Sequence, residues 1–416
     1  MRKIIIAGLA MLTTLGAVLA AVLGSSAGPV KATTGATASA ATTTRVSAAG
    51  NATASTLMLQ LNGLSCVSAT FCAGVGEEGN SAHPARGDVP LAMIWNGARW
   101  RETATPLPRG WPEGQLGGVS CPSRSYCVAI GDYSRGATVN AMAETWNGRD
   151  WTATVLPRPS VTFNVVDGAI SCPAAHRCVS VGTFAPTSPA GHAFAETLTG
   201  TKWTVRDVPL PKGSVGGGFD GVSCVSVTDC VLVGGSYTAK HQTVLFESWN
   251  GKSFAPMKAA SPAGQISVDG VSCTSAKSCV AVGSLSHPGL YNQTGFAELW
   301  NGKSWSVTSV KGPKNPLLAR VSCAAAKSCV AVGYTSTDGS EQTSHALAVS
   351  YNGHWTTGIV PRLANGGTSA FSSVSCVSAT DCVAVGEGGG PGKTLFSSAA
   401  LTAFWNGKSW KLVGAS

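Results

Sequence analysis

From residue 57 to the C-terminus the chain alternates short apolar runs with turn residues. One stretch shows the pattern in full. Apolar or alternating runs occupy Asp269–Cys273, Cys279–Gly283, Gly295–Trp300 and Trp305–Val310. Short runs rich in Val and aromatic residues, bounded by turn residues, predict β-strands. Asn301-Gly302 joins the third run to the fourth and predicts a hairpin, because both residues tolerate positive φ.

The whole pattern recurs. Cysteines fall in pairs with five residues between partners: Cys66/Cys72, Cys121/Cys127, Cys172/Cys178, Cys224/Cys230, Cys273/Cys279, Cys323/Cys329 and Cys376/Cys382. Successive first cysteines lie 55, 51, 52, 49, 50 and 53 residues apart. A first aromatic slot holds Trp95, Trp146, Trp249, Trp300, Tyr351 and Trp405, with Leu198 in copy three. A second holds Trp100, Trp151, Trp203, Phe254, Trp305, Trp355 and Trp410. Four strands per unit of about 50 residues, repeated seven times, predict an all-β fold, a seven-bladed β-propeller of four-stranded blades. The blades run over 57–108, 109–159, 160–211, 212–262, 263–313, 314–363 and 364–416.

The unit SCxSxxxCxAVG followed by WNGxxW is seen in GVSCTSAKSCVAVG from Gly270 and in WNGKSW ending at Trp410. It resembles kelch/galactose-oxidase-like and BNR-like propeller repeats, and in particular secreted propellers of actinobacterial type. The resemblance covers 57–416 and implies architecture. The Ser-x-Asp-x-Gly-x-Thr-Trp box of sialidase repeats is missing, as is a Gly-Gly doublet in each copy, so no catalytic site carries over.

The segment before the repeats changes the compartment. Arg2 and Lys3 precede an apolar run, Ile4–Gly24, and small residues follow as cleavage sites after Ala27 or Ala32. Residues 1–32 therefore read as a secretory signal, which would act as a membrane anchor only if it stayed uncleaved. Residues 33–56 are almost all Ala, Thr, Ser and Gly and read as a flexible linker. Removing 1–32 lowers the net charge from +9 to +6, without any dense basic run, so nucleic acid is not an expected partner. Fourteen cysteines behind an export signal are expected to oxidise. Each pair spans what looks like a hairpin loop, His does not recur in the unit, and the expected product is one disulfide per blade.

The chemistry of enzymes is harder to find. Every cysteine has a repeat partner, the seven histidines show no short metal spacing, and no Gly-x-Ser-x-Gly or His-Glu-x-x-His stretch occurs. No cofactor, metal or catalytic residue is assigned. The repeated aromatics are expected to pack blade against blade. Glu144, Glu196, Glu247 and Glu298, just before the first aromatic, are expected to serve structural hydrogen bonds.

Loops divide into two sets. The disulfide loop and the Asn-Gly turn are nearly constant and share one face; the remaining connections vary and share the other. Variable loops on a uniform scaffold are where recognition is expected. That face carries Trp111, the one Trp outside the repeat frame, with Tyr133, Phe163, Phe184, Tyr237, Tyr291 and Tyr334. Of these, Trp111, Tyr133, Tyr237, Tyr291 and Tyr334 are the candidate ligand contacts. The expected function is non-catalytic binding, by a secreted monomer, of an extracellular glycan, cell-wall polymer or protein. The alternative is a polysaccharide hydrolase or lyase, with carboxylates drawn from Glu77, Glu78, Asp88, Asp132, Asp338, Glu341 and Glu387.

Overall fold

The computed structural model describes residues 57–80, 87–136, 138–157, 164–185, 192–238, 242–260, 265–287, 292–310, 312–338, 341–390 and 399–413. The signal and linker segments read from the sequence lie outside them. The described residues form seven antiparallel sheets, each of four strands consecutive in sequence. They span 57–103, 113–155, 164–207, 216–256, 265–309, 316–358 and 369–413, here blades 1 to 7. The first strand of each blade is innermost. The chain is a seven-bladed β-propeller with one disulfide per blade.

The disulfides follow the repeat spacing. They join Cys66–Cys72, Cys121–Cys127, Cys172–Cys178, Cys224–Cys230, Cys273–Cys279, Cys323–Cys329 and Cys376–Cys382, with Cα atoms 3.9–4.0 Å apart. Each bridge crosses the hairpin of the first two strands; Cys66, for example, stands directly opposite Cys72 in the ladder. The two sulfurs of a pair differ in setting. The second cysteines, Cys72, Cys127, Cys178, Cys230, Cys279, Cys329 and Cys382, are only 0–3% exposed. Their strand position turns them into the apolar layers between blades, so they are cross-links within the core and not ligand contacts.

The alternation of apolar residues explains why flat sheets stack into a ring. The second strand of each blade is buried on both faces. In blade 2, Ala129 packs toward blade 1 while Val128 and Ile130 pack toward blade 3. Seven hydrophobic layers result, each drawn from two adjacent blades, and the last joins blade 7 to blade 1 through Val383, Val385, Leu61 and Trp95. Trp146, Trp151, Trp249, Trp305 and Trp410 are buried in these layers.

Hydrogen bonds tie the blades near the axis. The residue before each first cysteine is Ser, and its Oγ accepts the backbone N–H of the first cysteine of the following blade. Ser65, Ser120, Ser171, Ser223, Ser272 and Ser322 accept from Cys121, Cys172, Cys224, Cys273, Cys323 and Cys376 at 2.9–3.0 Å. Ser375 of blade 7 accepts from Cys66 of blade 1 at 2.9 Å. Among the described residues the ring closes by packing and by this bond, and blades 7 and 1 each keep four strands consecutive in sequence.

Each innermost strand carries a β-bulge four residues before its first cysteine, at Asn62, Gly117, Gly168, Asp220, Asp269, Ala319 and Ser372. The bulge pushes a carbonyl against the glycine that follows the alternating run of the second strand. A Cβ on Gly76 would lie 1.8 Å from the Gln60 oxygen, and one on Gly283 would lie 1.9 Å from that of Ser267. Only glycine fits there.

The hairpin differs from its sequence expectation. Trp95 pairs directly with Trp100, so Asn96 to Arg99 form a four-residue loop. Gly97 has φ +94° while Asn96 keeps negative φ. The Asn side chain acts instead, its Oδ1 accepting the N–H groups of Ala98 and Arg99 at 3.0 Å. A side chain that mimics a turn is an ordinary role for Asn.

Candidate functional site

The two faces separate as the loop pattern implies. On the disulfide face the two turns of a blade are bound together. Trp95, Trp146, Trp300 and Trp405 donate Nε1–H to carbonyls of Ala69, Arg124, Ala276 and Ala379 in the disulfide loops, at 3.1–3.2 Å. The opposite face bears the variable connections.

The five candidate aromatics do not converge. Trp111 meets the Tyr133 ring edge-on at 4.7 Å and packs against the layer between blades 1 and 2. Tyr133 is only 3% exposed, because its strand position turns it into that layer and not toward solvent. Tyr237 is exposed at the end of the second strand of blade 4, opposite Gly216. Tyr334 is half-buried on blade 6, between Leu317 and Ala346. Tyr291 lies outside the described residues, as does Phe163.

Carboxyl groups converge instead. The fifth residue after the second cysteine is Glu387 in blade 7, Glu77 in blade 1 and Asp132 in blade 2. These positions are equivalent, at the variable-loop end of the strand next to the innermost one. Burial pushes Glu77 up to about 8, and repulsion from Asp88, Asp132 and Glu387 adds to the shift. Burial pushes Asp132 up to about 6, against a hydrogen bond that its Oδ2 accepts from Gln115 Nε2 at 2.9 Å. Asp88 is raised by burial and by Glu113. Glu113 accepts from Ser134 Oγ at 3.1 Å. Four of the seven carboxylates noted in the sequence therefore meet around Glu77. Asp338 stands elsewhere, bonded to Ser336 and Thr343. Glu113, outside those seven, is the first residue of the innermost strand of blade 2 and lies beside Gly87; no other copy has an acid at its repeat position.

A second polar group lines the axis across the ring. A cavity of about 150 Å³ is walled by Gly63, Gly118, Gly221, Gly270 and Arg320. The innermost strands approach closely here, and a Cβ on Gly270 would lie 2.9 Å from the Arg320 Cα. Arg320 donates through Nη1 to the backbone oxygens of Asp269 at 2.7 Å and Ala319 at 3.0 Å. Burial pushes Asp269 up to about 7, Asp220 adds to this, and Arg320 and the Ser267 hydroxyl oppose it. Asp220 keeps solvent contact, yet the surrounding strands enclose it and raise it to about 6 against the pull of Arg320. Arg320 could have been noticed from the sequence, since it breaks a row of Gly, Ala and Ser.

The repeated glutamates are buried in the blades. Glu196 accepts from Ser180 Oγ at 3.3 Å and Glu298 from the Ala260 N–H at 2.9 Å. Burial pushes Glu144 up to about 8, so it holds a proton at neutral pH. Among the described residues no three His, Cys, Asp or Glu side chains are grouped so as to hold a metal ion.

No family model matches the sequence, and no curated protein does. Solved structures match in shape. One titled YCF48 bound to D1 peptide is 11% identical, with a TM-score of 0.50 over 83% of this chain and 91% of that one. An acylaminoacyl peptidase from Pyrococcus horikoshii is 9% identical, with a TM-score of 0.49 over 86% of this chain and 52% of that one. An α-L-arabinofuranosidase from Fusarium graminearum is 10% identical, with a TM-score of 0.44 over 69% of this chain and 92% of that one. At such identity the likeness is one of fold. The seven disulfides point to an oxidising, extracellular environment.

Proposed function

We propose that this is a secreted, non-catalytic propeller that binds an extracellular glycan, cell-wall polymer or protein at the axial end of its variable-loop face. The observation that carries the reading is the arc Glu387, Glu77, Asp132 on three adjacent blades, with Asp88 beside it. Like charges gathered in a half-buried site repel one another and hold protons above their usual range. A ligand bearing ammonium or guanidinium groups would relieve that repulsion, and hydrogen-bonded hydroxyls would suit the protonated carboxyls. Binding of a cationic ligand should then release a proton from Glu77.

A second reading rests on the same residues. Glu77 at about 8 and Asp132 at about 6 differ in proton affinity. A proton-holding carboxyl near a more acidic one is the pairing that glycoside hydrolysis uses. One screen separates the two. Chitosan fragments, wall polymers and basic peptides are titrated against the protein by calorimetry, and the mixtures are then analysed for cleavage. Binding without cleavage, lost in Glu77→Gln and Glu387→Gln, supports the first reading. Cleavage abolished by Glu77→Gln supports the second. Binding that both variants retain overturns the site.

A further inference from the structure

The two turns of each blade meet on the disulfide face, and they concentrate positive charge there. Arg99, Arg149, Lys202, Lys252, Lys303 and Lys408 stand in the outer turns of six blades. Arg124, Arg177, Lys277 and Lys327 stand in the disulfide loops of four. All ten are exposed. The same turns hold three acids, Asp150, Asp229 and Asp381. That excess of seven positive charges exceeds the +6 of residues 33–416, so the rest of that span carries no net positive charge.

The fold does not require these side chains. Each outer turn is held by its Asn and its Gly. In blade 5 the Asn301 Oδ1 accepts the N–H groups of Lys303 and Ser304 at 2.9 Å, and Gly302 takes φ +90°. Lys303 gives that turn only its backbone N–H, which any residue but proline supplies. Yet the charge persists while its carrier and place change. It stands three residues after the first aromatic slot in blades 2, 4, 5 and 7, and four after it in blades 1 and 3, as Arg or as Lys; blade 6 has His354. Charge kept without position is what a charged partner selects and packing does not.

The molecule itself makes little use of these cations. Arg149 pairs with Asp150 at 3.6 Å, and Arg124 donates to Ser68 Oγ at 2.7 Å and to Thr70 Oγ1. Among the described residues the other eight side chains have no hydrogen bond or ion pair.

The shape of the face selects among anionic partners. Five residues separate the cysteines in every blade. Four separate the two aromatic slots in six blades, and three in blade 6. The connections that vary in length run on the other face. Turns of near-constant length on seven equivalent sheets end at one level, and every blade carries at least one of the cations. A linear polymer meets a few of them at a time, whereas a flat anionic surface meets them together. Val227 is the one exposed large apolar residue described in these turns, so the face offers almost nothing to insert into hydrocarbon.

We propose that the disulfide face docks on an anionic lipid bilayer, held by charge and without insertion. The surface lies opposite the axial arc and does not depend on it.

The test uses residues 33–416, which contain the whole closed ring. The protein is sedimented with vesicles of equal parts phosphatidylcholine and phosphatidylglycerol, and separately with vesicles of phosphatidylcholine alone. It should bind the anionic vesicles only, and leave them at about 1 M salt, where screening acts within roughly 3 Å. Lys252→Gln, Lys303→Gln and Lys408→Gln together should weaken partitioning by about a hundredfold, since each cation at an anionic leaflet contributes roughly fivefold. Lys252→Arg, Lys303→Arg and Lys408→Arg together should retain it. Arg109→Gln, Lys212→Gln and Lys314→Gln remove as much charge from the connections on the other face, and should weaken it by less than about threefold because those cations stand beyond the screening length. Glu77→Gln should leave binding unchanged. Failure to bind the anionic vesicles overturns the proposal, as does equal weakening by the two sets of Gln variants. Displacement of most of the protein by polygalacturonate at equal charge concentration overturns it too, because the face then serves a polymer and not a surface.

Discussion

Two parts of the axial lining enclose carboxyl groups, in opposite company. In blades 4 to 6, Asp220 and Asp269 face the guanidinium of Arg320, which pulls both back toward ionisation. Around blades 7, 1 and 2, Glu77 faces three further carboxyls, all of which raise it. The first group holds a cation that offsets part of the burial within the fold. The second leaves a repulsion that folding does not relieve, which is the condition expected where a ligand or a reacting group completes the site. The difference teaches that burial of an acid does not mark function; the sign of its neighbours does.

The largest effect is expected from Arg320→Ala, which strips two enclosed aspartates of their cation. A half-buried partner of this kind should cost about 2–3 kcal/mol in denaturant unfolding, and Asp269→Asn in the same background should restore part of it. If the single variant is as stable as wild type, Arg320 does not offset the burial of these aspartates.

Next comes the arc. Glu77 titrates near 8 when folded, against an ordinary value of 4.5. Its contribution is fully present below that ordinary value and is lost as pH rises to about 8. Glu77→Gln should therefore flatten the fall in stability across that window. With each pKa unit worth about 1.4 kcal/mol and solvent contact reducing the sum, the gain at pH 8 should be about 1–2 kcal/mol, with none at pH 4. An unchanged pH profile of the melting temperature would contradict the buried, repelled state of this carboxyl.

A smaller and uniform effect is expected from the inter-blade serines. Ser171→Ala and Ser375→Ala each remove one acceptor and should each cost about 1 kcal/mol. A much larger loss for Ser375 would mean that the junction of blades 7 and 1 is special. Smallest of all, Asp338→Asn should change neither stability nor ligand affinity beyond about 0.5 kcal/mol, because Asp338 sits in its own hydroxyl cluster away from the arc.

Much of this architecture was legible in the sequence because the cysteine and tryptophan spacings repeat, and repetition makes a strand count and a disulfide pairing visible without any tertiary knowledge. What the repeat hid lies between blades. The Ser before each cysteine is plain as text, but its bond runs to the next copy, some fifty residues on. Glu77, Asp132 and Glu387 share one repeat position, so the arc shows in the aligned copies and not in the variability of the loops. Tyr133 stands beside a loop in the sequence, but strand parity turns it inward.

The seam between blades 7 and 1 repeats the apolar layer and the serine hydrogen bond of the other six junctions, which a peptide connection also spans, and each blade is one uninterrupted stretch of chain with its own cross-link. A gene reopened between any two blades, with a linker of the kind that spans residues 359–368, encodes the same ring. Each blade is in that sense a movable cassette, and whole-blade duplication or loss is the route by which such a chain can change its surface without redesigning its core.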